Sequence, residues 1–127
     1  MATELKYIRV NRQADVTIFT FTVADLSDEE TFAAVKAELL SFTRAERPAN
    51  ILMDFRHVQR LNSAVVGLLV LLRKGTIAAA GALKLCSFPP TFRDVFEVCG
   101  NAKPFEMFDD LTEAVKSFGP INKYWKL

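Results

Sequence analysis

The chain has 127 residues and a formal net charge of +1; half its residues are hydrophobic and 11 are Phe. That length suits one domain with a proper core, and that composition excludes a disordered chain. The near-zero charge lacks the basic footprint of a nucleic-acid binder, so no DNA or RNA partner is expected.

In chain order, residues 1–13 lack an apolar signal core, so export is not indicated. Residues 5–10 favour a strand. Residues 16–23 alternate apolar side chains with Thr, the mark of a strand with one buried face. Residues 11–15 are polar and few enough for a hairpin connection. Ser27, followed three residues on by Glu30, predicts a capping box. The helix it opens should bury Phe32, Val35, Leu39 and Phe42 on one face. Arg44, Arg47 and Pro48 end it with positive charge at its negative pole.

The stretch 51–74 carries the strongest pattern. Ile51-Leu52-Met53-Asp54-Phe55 reads as a buried strand with one acid. A polar loop over 56–60 and Leu61 follow, then Asn62 and Ser63, both residue types that cap a helix N-terminus. Residues 64–72 are apolar apart from Gly67, and Arg73-Lys74 closes the run. That apolar run is far short of the ~20 residues needed to span a bilayer, so no membrane span is expected. Gly81 ends the helix, and residues 82–86 form another strand, followed by a loop over 87–90. Phe92, Val95, Phe96 and Cys99 mark a further helix face, stopped at Gly100. Residues 105–108 give a last short strand. Asp109-Asp110-Leu111-Thr112-Glu113 opens a final helix to about Phe118, and Gly119-Pro120 breaks it. Strand and helix thus alternate, which predicts an α/β fold: one mixed, mostly parallel sheet with right-handed crossovers and about four helices.

Reactive groups are few. His57 lies six residues before Ser63, yet a Ser-His pair still lacks an orienting group and oxyanion donors, so a solvent-facing loop histidine is expected. The chain has no Gly-rich phosphate loop. One His with two separated Cys makes no closed zinc site, and Cys86 and Cys99 read as reduced core residues. No catalytic residue, metal or cofactor is therefore expected. At 100° per residue, Val65, Leu68, Leu69 and Leu72 share the side of the helix that packs on the sheet. Val66, Val70 and Lys74 fall on the other side; they form either an exposed docking strip or a face covered by a neighbouring helix. From the residues alone, Ser63 is a capping or first-turn serine.

Met53-Asp54-Phe55-x-x-Val58-x-x-Leu61-Asn62-Ser63, then Gly67-Leu68-Leu69 and Ala80-Gly81-Ala82-Leu83-Lys84-Leu85, resembles the STAS domain, and within it the bacterial anti-sigma-factor antagonists. The resemblance runs from about residue 5 to 118, which implies a STAS domain over residues 1–118 and a tail over 119–127. Ser63 stands where the family carries the serine phosphorylated by a partner kinase, and Asp54 where its strand-ending aspartate lies beside that serine. Asn62, Ala64, Val65 and Val66 stand where Asp, Ser or Thr, Gly and Leu are commoner, so a neutral amide takes the place of an acid beside the phosphate.

The resemblance implies a cytoplasmic protein that binds an anti-sigma factor with serine kinase activity, is switched off by phosphorylation of Ser63, and is restored by a serine phosphatase. The alternative it implies is a STAS adaptor of a transporter or sensory complex without serine phosphorylation. Loops at the carboxyl ends of parallel strands are the usual binding edge of such sheets, here residues 56–62 and 87–90. Asp54, Asn62 and Ser87 are accordingly expected to form the site around Ser63, and Val66, Val70, Lys74 and Phe88 to contact the partner.

Overall fold

The expected hairpin forms with a shifted boundary. In the computed structural model, which describes residues 5–90 and 105–119, β1 (Ile8–Gln13) pairs antiparallel with β2 (Val16–Phe21), and Gln13 stands opposite Val16. Only Ala14 and Asp15 separate the two strands, with Ala14 in a left-handed conformation at φ 55°. The expected connection over 11–15 is corrected accordingly. A turn this tight lets Asn11 to Gln13 pair, and an edge strand with one exposed face accepts their polar side chains.

The first helix, α1 (Glu29–Glu46), is capped by Asp28 and not by Ser27. The Asp28 carboxylate accepts the Thr31 backbone N–H at 2.9 Å and the Thr31 hydroxyl at 2.8 Å. Ser27 is drawn away, because both its hydroxyl and its N–H donate to Asp25. These bonds hold both carboxyls below the usual range, led at Asp25 by the Ser27 hydroxyl and at Asp28 by the Thr31 N–H. Val35, Leu39 and Phe42 are buried as their spacing predicts, with Phe32 partly buried beside them.

Next come β3 (Asn50–Asp54), α2 (Ser63–Ala78), β4 (Ala82–Cys86), β5 (Met107–Phe108) and α3 (Leu111–Ser117). The sheet order is β1-β2-β3-β4-β5, parallel from β2 onward. The fourth helix expected around 92–99, Cys99 within it, and the tail beyond Gly119 lie outside the described residues. Among the described residues, no helix is long and apolar enough to cross a membrane.

Strand alternation divides the sheet into two unlike faces. Phe19, Phe21, Ile51, Met53, Leu83 and Leu85 join the main core with residues of α1 and α2. On the other face, register aligns Ile18–Leu52–Lys84 and Thr20–Asp54–Cys86, and α3 packs there through Ala114. Buried Lys84 reaches the end of α3, where its ammonium donates to the Ser117 carbonyl and hydroxyl, each at 3.0 Å. A cation at that negative helix pole is favourably placed.

Two short returns close the amino end of the parallel strands. Arg47 ends α1 in a left-handed conformation and donates its N–H to the Thr43 carbonyl. At the end of α2, Ala80 is left-handed at φ 63°; its N–H donates to the Ile77 carbonyl, and the Gly81 N–H to the Thr76 carbonyl. That pair of bonds satisfies the last helical carbonyls in a Schellman arrangement. Gly81 therefore lies past the helix end and serves a different purpose. A Cβ there would stand 1.9 Å from the Ala49 carbonyl oxygen.

Candidate functional site

Three loops meet at the carboxyl end of the parallel strands, and backbone bonds tie two of them together. The Gln59 and Arg60 N–H groups donate to the Ala24 carbonyl at 2.7 and 3.0 Å, and the Leu26 N–H donates to the Arg60 carbonyl at 2.7 Å. Beneath them lie buried Leu26, Phe55, Val58, Leu61 and Phe88. The Phe55 ring meets Phe21 on one side and Phe88 on the other, each at 4.9 Å between centroids. The polar loop 55–62 thus hangs on apolar anchors while Arg56, His57, Gln59 and Arg60 stay exposed.

Asn62 is the N-cap of α2. Its backbone is extended, and its side-chain oxygen accepts the Ala64 N–H at 3.0 Å. Ser63 is the first helical residue and is exposed. Among the described residues no hydrogen bond engages its hydroxyl. Capping is Asn62's task, which leaves the Ser63 hydroxyl at the positive pole of a 16-residue helix with no structural duty.

Asp54 is fully buried at the end of β3. Its carboxylate accepts the Arg56 side-chain Nε at 2.8 Å, the Arg56 backbone N–H at 3.0 Å and the Thr20 hydroxyl at 3.3 Å. Asp54 stands at the carboxyl end of β3, and its bonds run to Arg56 and Thr20 and not to Ser63. Sequence reasoning missed both partners; the only signal was the acid–base spacing of Asp54 and Arg56 across a strand end. Beside Asp54 lies Cys86, a buried free thiol pushed up to about 12, by burial first and by the Asp54 charge next. Burial therefore keeps the thiol protonated, as suits a core residue.

Ser87 follows directly at a left-handed φ of 55°. Its N–H donates to the Phe108 carbonyl at 2.9 Å and its hydroxyl to the Asp109 carbonyl at 3.4 Å, so the bonds it makes join the end of β4 to β5 and to the residue after it. Asp54 and Ser87 thus stand at the carboxyl ends of β3 and β4, and Asn62 and Ser63 open α2 after the loop that leaves β3. Among the described residues no hydrogen bond joins Ser63 to Asp54 or Ser87.

The expected docking strip needs correction. Val66 is 1% exposed and Phe88 4%, so both side chains belong to the core, while Val70 is half-buried against it and only Lys74 is exposed. The α1-facing side of α2 runs through Leu72, Gly75 and Ala79, whereas Val66 and Val70 share the opposite side with Arg73. The Arg73 guanidinium lies 4.2 Å from the centre of the Phe105 ring, so the flank expected to be exposed is the one that the segment at Phe105 approaches. The face left to solvent runs through Ala64, Gly67, Leu71, Lys74 and Ala78. A Cβ at Gly67 would meet nothing within 4 Å, so glycine there reflects no crowding inside the domain. His57 sits exposed in its loop, and no group of three metal-type side chains occurs among the described residues.

Solved structures share this architecture. An anti-sigma-factor antagonist (STAS) domain protein from Planctomyces limnophilus is 22% identical, with 89% of this chain and 98% of that one covered and a TM-score of 0.75. The anti-sigma factor antagonist SpoIIAA in its unphosphorylated form is 21% identical over 87% of this chain and 94% of its own, with a TM-score of 0.71. The Bacillus cell fate determinant SpoIIAA in its phosphorylated form is 20% identical over 87% and 97%, at 0.64. At such identities the likeness is one of fold. No curated protein sequence matches the chain. The STAS domain family model matches residues 7–114, most of the chain and nearly every element described above. This protein belongs to the STAS domain family.

Proposed function

We propose that this STAS domain is an anti-sigma-factor antagonist whose binding is switched by phosphorylation of Ser63. The observation that carries the reading is the exposed, unengaged Ser63 hydroxyl at the start of α2, relieved of capping by Asn62. The antagonists named among its structural neighbours, one of them solved in both unphosphorylated and phosphorylated forms, support it. The domain is the substrate and not the catalyst. Its partner is an anti-sigma factor with serine kinase activity, a serine phosphatase reverses the modification, and the exchange takes place in the cytoplasm.

The electrostatics support an on–off effect without unfolding. A phosphoserine carries about −1.5 to −2 charges near neutral pH. On the first residue of α2 that charge lies at the positive helix pole. Residues 55–78 contain no acid and include Arg56, Arg60, Arg73 and Lys74. Such a basic surface suits an acidic partner face, which a phosphate at its centre would repel. Asp54 contributes by holding Arg56 at this edge, and Ser87 by fixing the adjoining loop. Contact is expected over Ser63, Ala64 and Gly67, with Val70 and Lys74 further along α2.

Incubation with the cognate anti-sigma kinase and ATP should label the wild type, leave Ser63→Ala unlabelled, and weaken the wild-type complex by about tenfold or more. Equal labelling of Ser63→Ala would overturn the reading. A stable partner without kinase activity would favour the adaptor role instead.

A further inference from the structure

The C-terminal halves of α1 and α2 leave between them a groove of about 550 Å³. It is distinct from the Ser63 edge: Gly75, which lines it, lies roughly 18 Å along α2 from Ser63 at the helical rise per residue. Leu40, Ile51 and Leu72 supply apolar walls, and Leu71, 46% exposed, forms part of the rim. Among the described residues, Arg44 and Arg47 are the only charged ones lining it. Both are exposed, and neither has an ion pair among the described residues.

On the α2 side the lining includes the small residues Gly75, Ala78 and Ala79. Gly75 sits inside α2, where glycine costs about 1 kcal/mol against alanine. A Cβ at that position meets nothing within 4 Å, so no neighbour in the domain demands the glycine. Among the described lining residues it alone contributes no side chain. A volume of this size falls in the range of small-molecule sites, which are mostly apolar with a few convergent polar groups. Two guanidinium forks at one end of an apolar trough suit a carboxylate or phosphate, each oxygen pair matching a fork.

We infer that this groove binds a single-chain amphiphile with an anionic head. Its alkyl chain lies against Leu40, Ile51 and Leu72, and its carboxylate or phosphate lies between Arg44 and Arg47. Arg44 also faces the negative pole of α1, yet a guanidinium has five donors, and one solvated helix end leaves donors for the head group. The inference stands apart from the switch at Ser63 and requires no phosphorylation.

Calorimetric titration of the full chain with decanoate and with decyl phosphate, each below its micelle concentration, tests it. Both should bind saturably at one site, and decanol, with no charge, more weakly. Arg44→Glu with Arg47→Glu should weaken both by about tenfold or more. Gly75→Leu, which fills the groove from a position with free space, should abolish binding with the far-UV dichroism unchanged, while Lys36→Glu on the exposed face of α1 should bind as wild type. Absence of saturation with either amphiphile, or unchanged affinity in both the arginine double variant and Gly75→Leu, overturns the inference. So does adsorption to phosphatidylglycerol vesicles without binding of the monomers. Capture of a Glu/Leu peptide that decanoate fails to displace would give the groove to a protein segment and overturn it equally.

Discussion

At the amino end of the parallel strands the chain turns back in three residues twice, between α1 and β3 and again between α2 and β4. At the carboxyl end it takes seven residues from β2 to α1 and eight from β3 to α2. The short returns run through left-handed Arg47 and Ala80, bring the Gly81 backbone against Ala49, and commit their N–H groups to helix carbonyls. The long loops also pair their backbones, but they leave Arg56, His57, Gln59, Arg60 and Ser63 exposed. In one place chain length is minimised and steric fit decides everything. In the other, extra residues are held by a few apolar anchors and present side chains with no packing role. Substitutions should therefore be costly in the short returns and at the anchors, and cheap for the fold at the exposed loop positions.

Phe88→Ala tests the anchors and should have the largest effect. Removing a buried ring that packs on Phe55 should cost about 3–5 kcal/mol in urea unfolding. A cost below about 1 kcal/mol would mean that the carboxyl-end loops do not hang on this cluster. Gly81→Ala tests the short return. A methyl group forced against the Ala49 carbonyl should destabilise by about 2–3 kcal/mol through backbone displacement. Its neighbour should respond with the opposite sign, since Ala80→Gly removes a left-handed alanine and should stabilise by about 1 kcal/mol. If the two variants shift the melting temperature in the same direction, the return is not built as described.

Asn62→Ala sharpens the comparison at the other end. Loss of the cap bond to Ala64 should cost about 1 kcal/mol. Ser63→Asp should be the mildest for the fold, within about 1 kcal/mol of wild type and favourable in sign, because an acid at a helix N-terminus is stabilised. It should still bind the anti-sigma partner more weakly in a direct titration. Unfolding of Ser63→Asp would make the switch conformational and remove the surface-repulsion account.

Local rules were enough for much of this. The bounds of β4 and the start of α2 at Ser63 were legible because a cap residue and a long apolar run agree there. The end of α2 was not, since the helix stops at Ala78 and turns at left-handed Ala80, before the glycine expected to stop it. The cap of α1 was not, since Ser27 and Asp28 are both good cap types and only the Asp25–Ser27 bonds in three dimensions decide between them. Val66 shows a second limit. Helical periodicity says which residues share a side, but not that the side of Val66, Val70 and Arg73 faces the distant segment at Phe105. Phe88 fails for a related reason: a loop position next to two prolines reads as surface, whereas its ring fills the space above Phe55. At the site, Asn62 was legible as a cap type and Ser63 as a first-turn serine from their place before the apolar run, while the role proposed for Ser63 comes from the resemblance. The Thr20–Asp54–Arg56 set depends on strand register and was not legible.

The most direct test of the central claim is the intact mass of the protein isolated from its own cells, before and after phosphatase treatment, for wild type beside Ser63→Ala. A wild-type species heavier by one phosphate, returned to the unmodified mass by phosphatase, mapped to Ser63 and missing from Ser63→Ala, is the predicted result. Phosphate mapped to another residue, or Ser63→Ala modified to the same extent as wild type, would contradict the account.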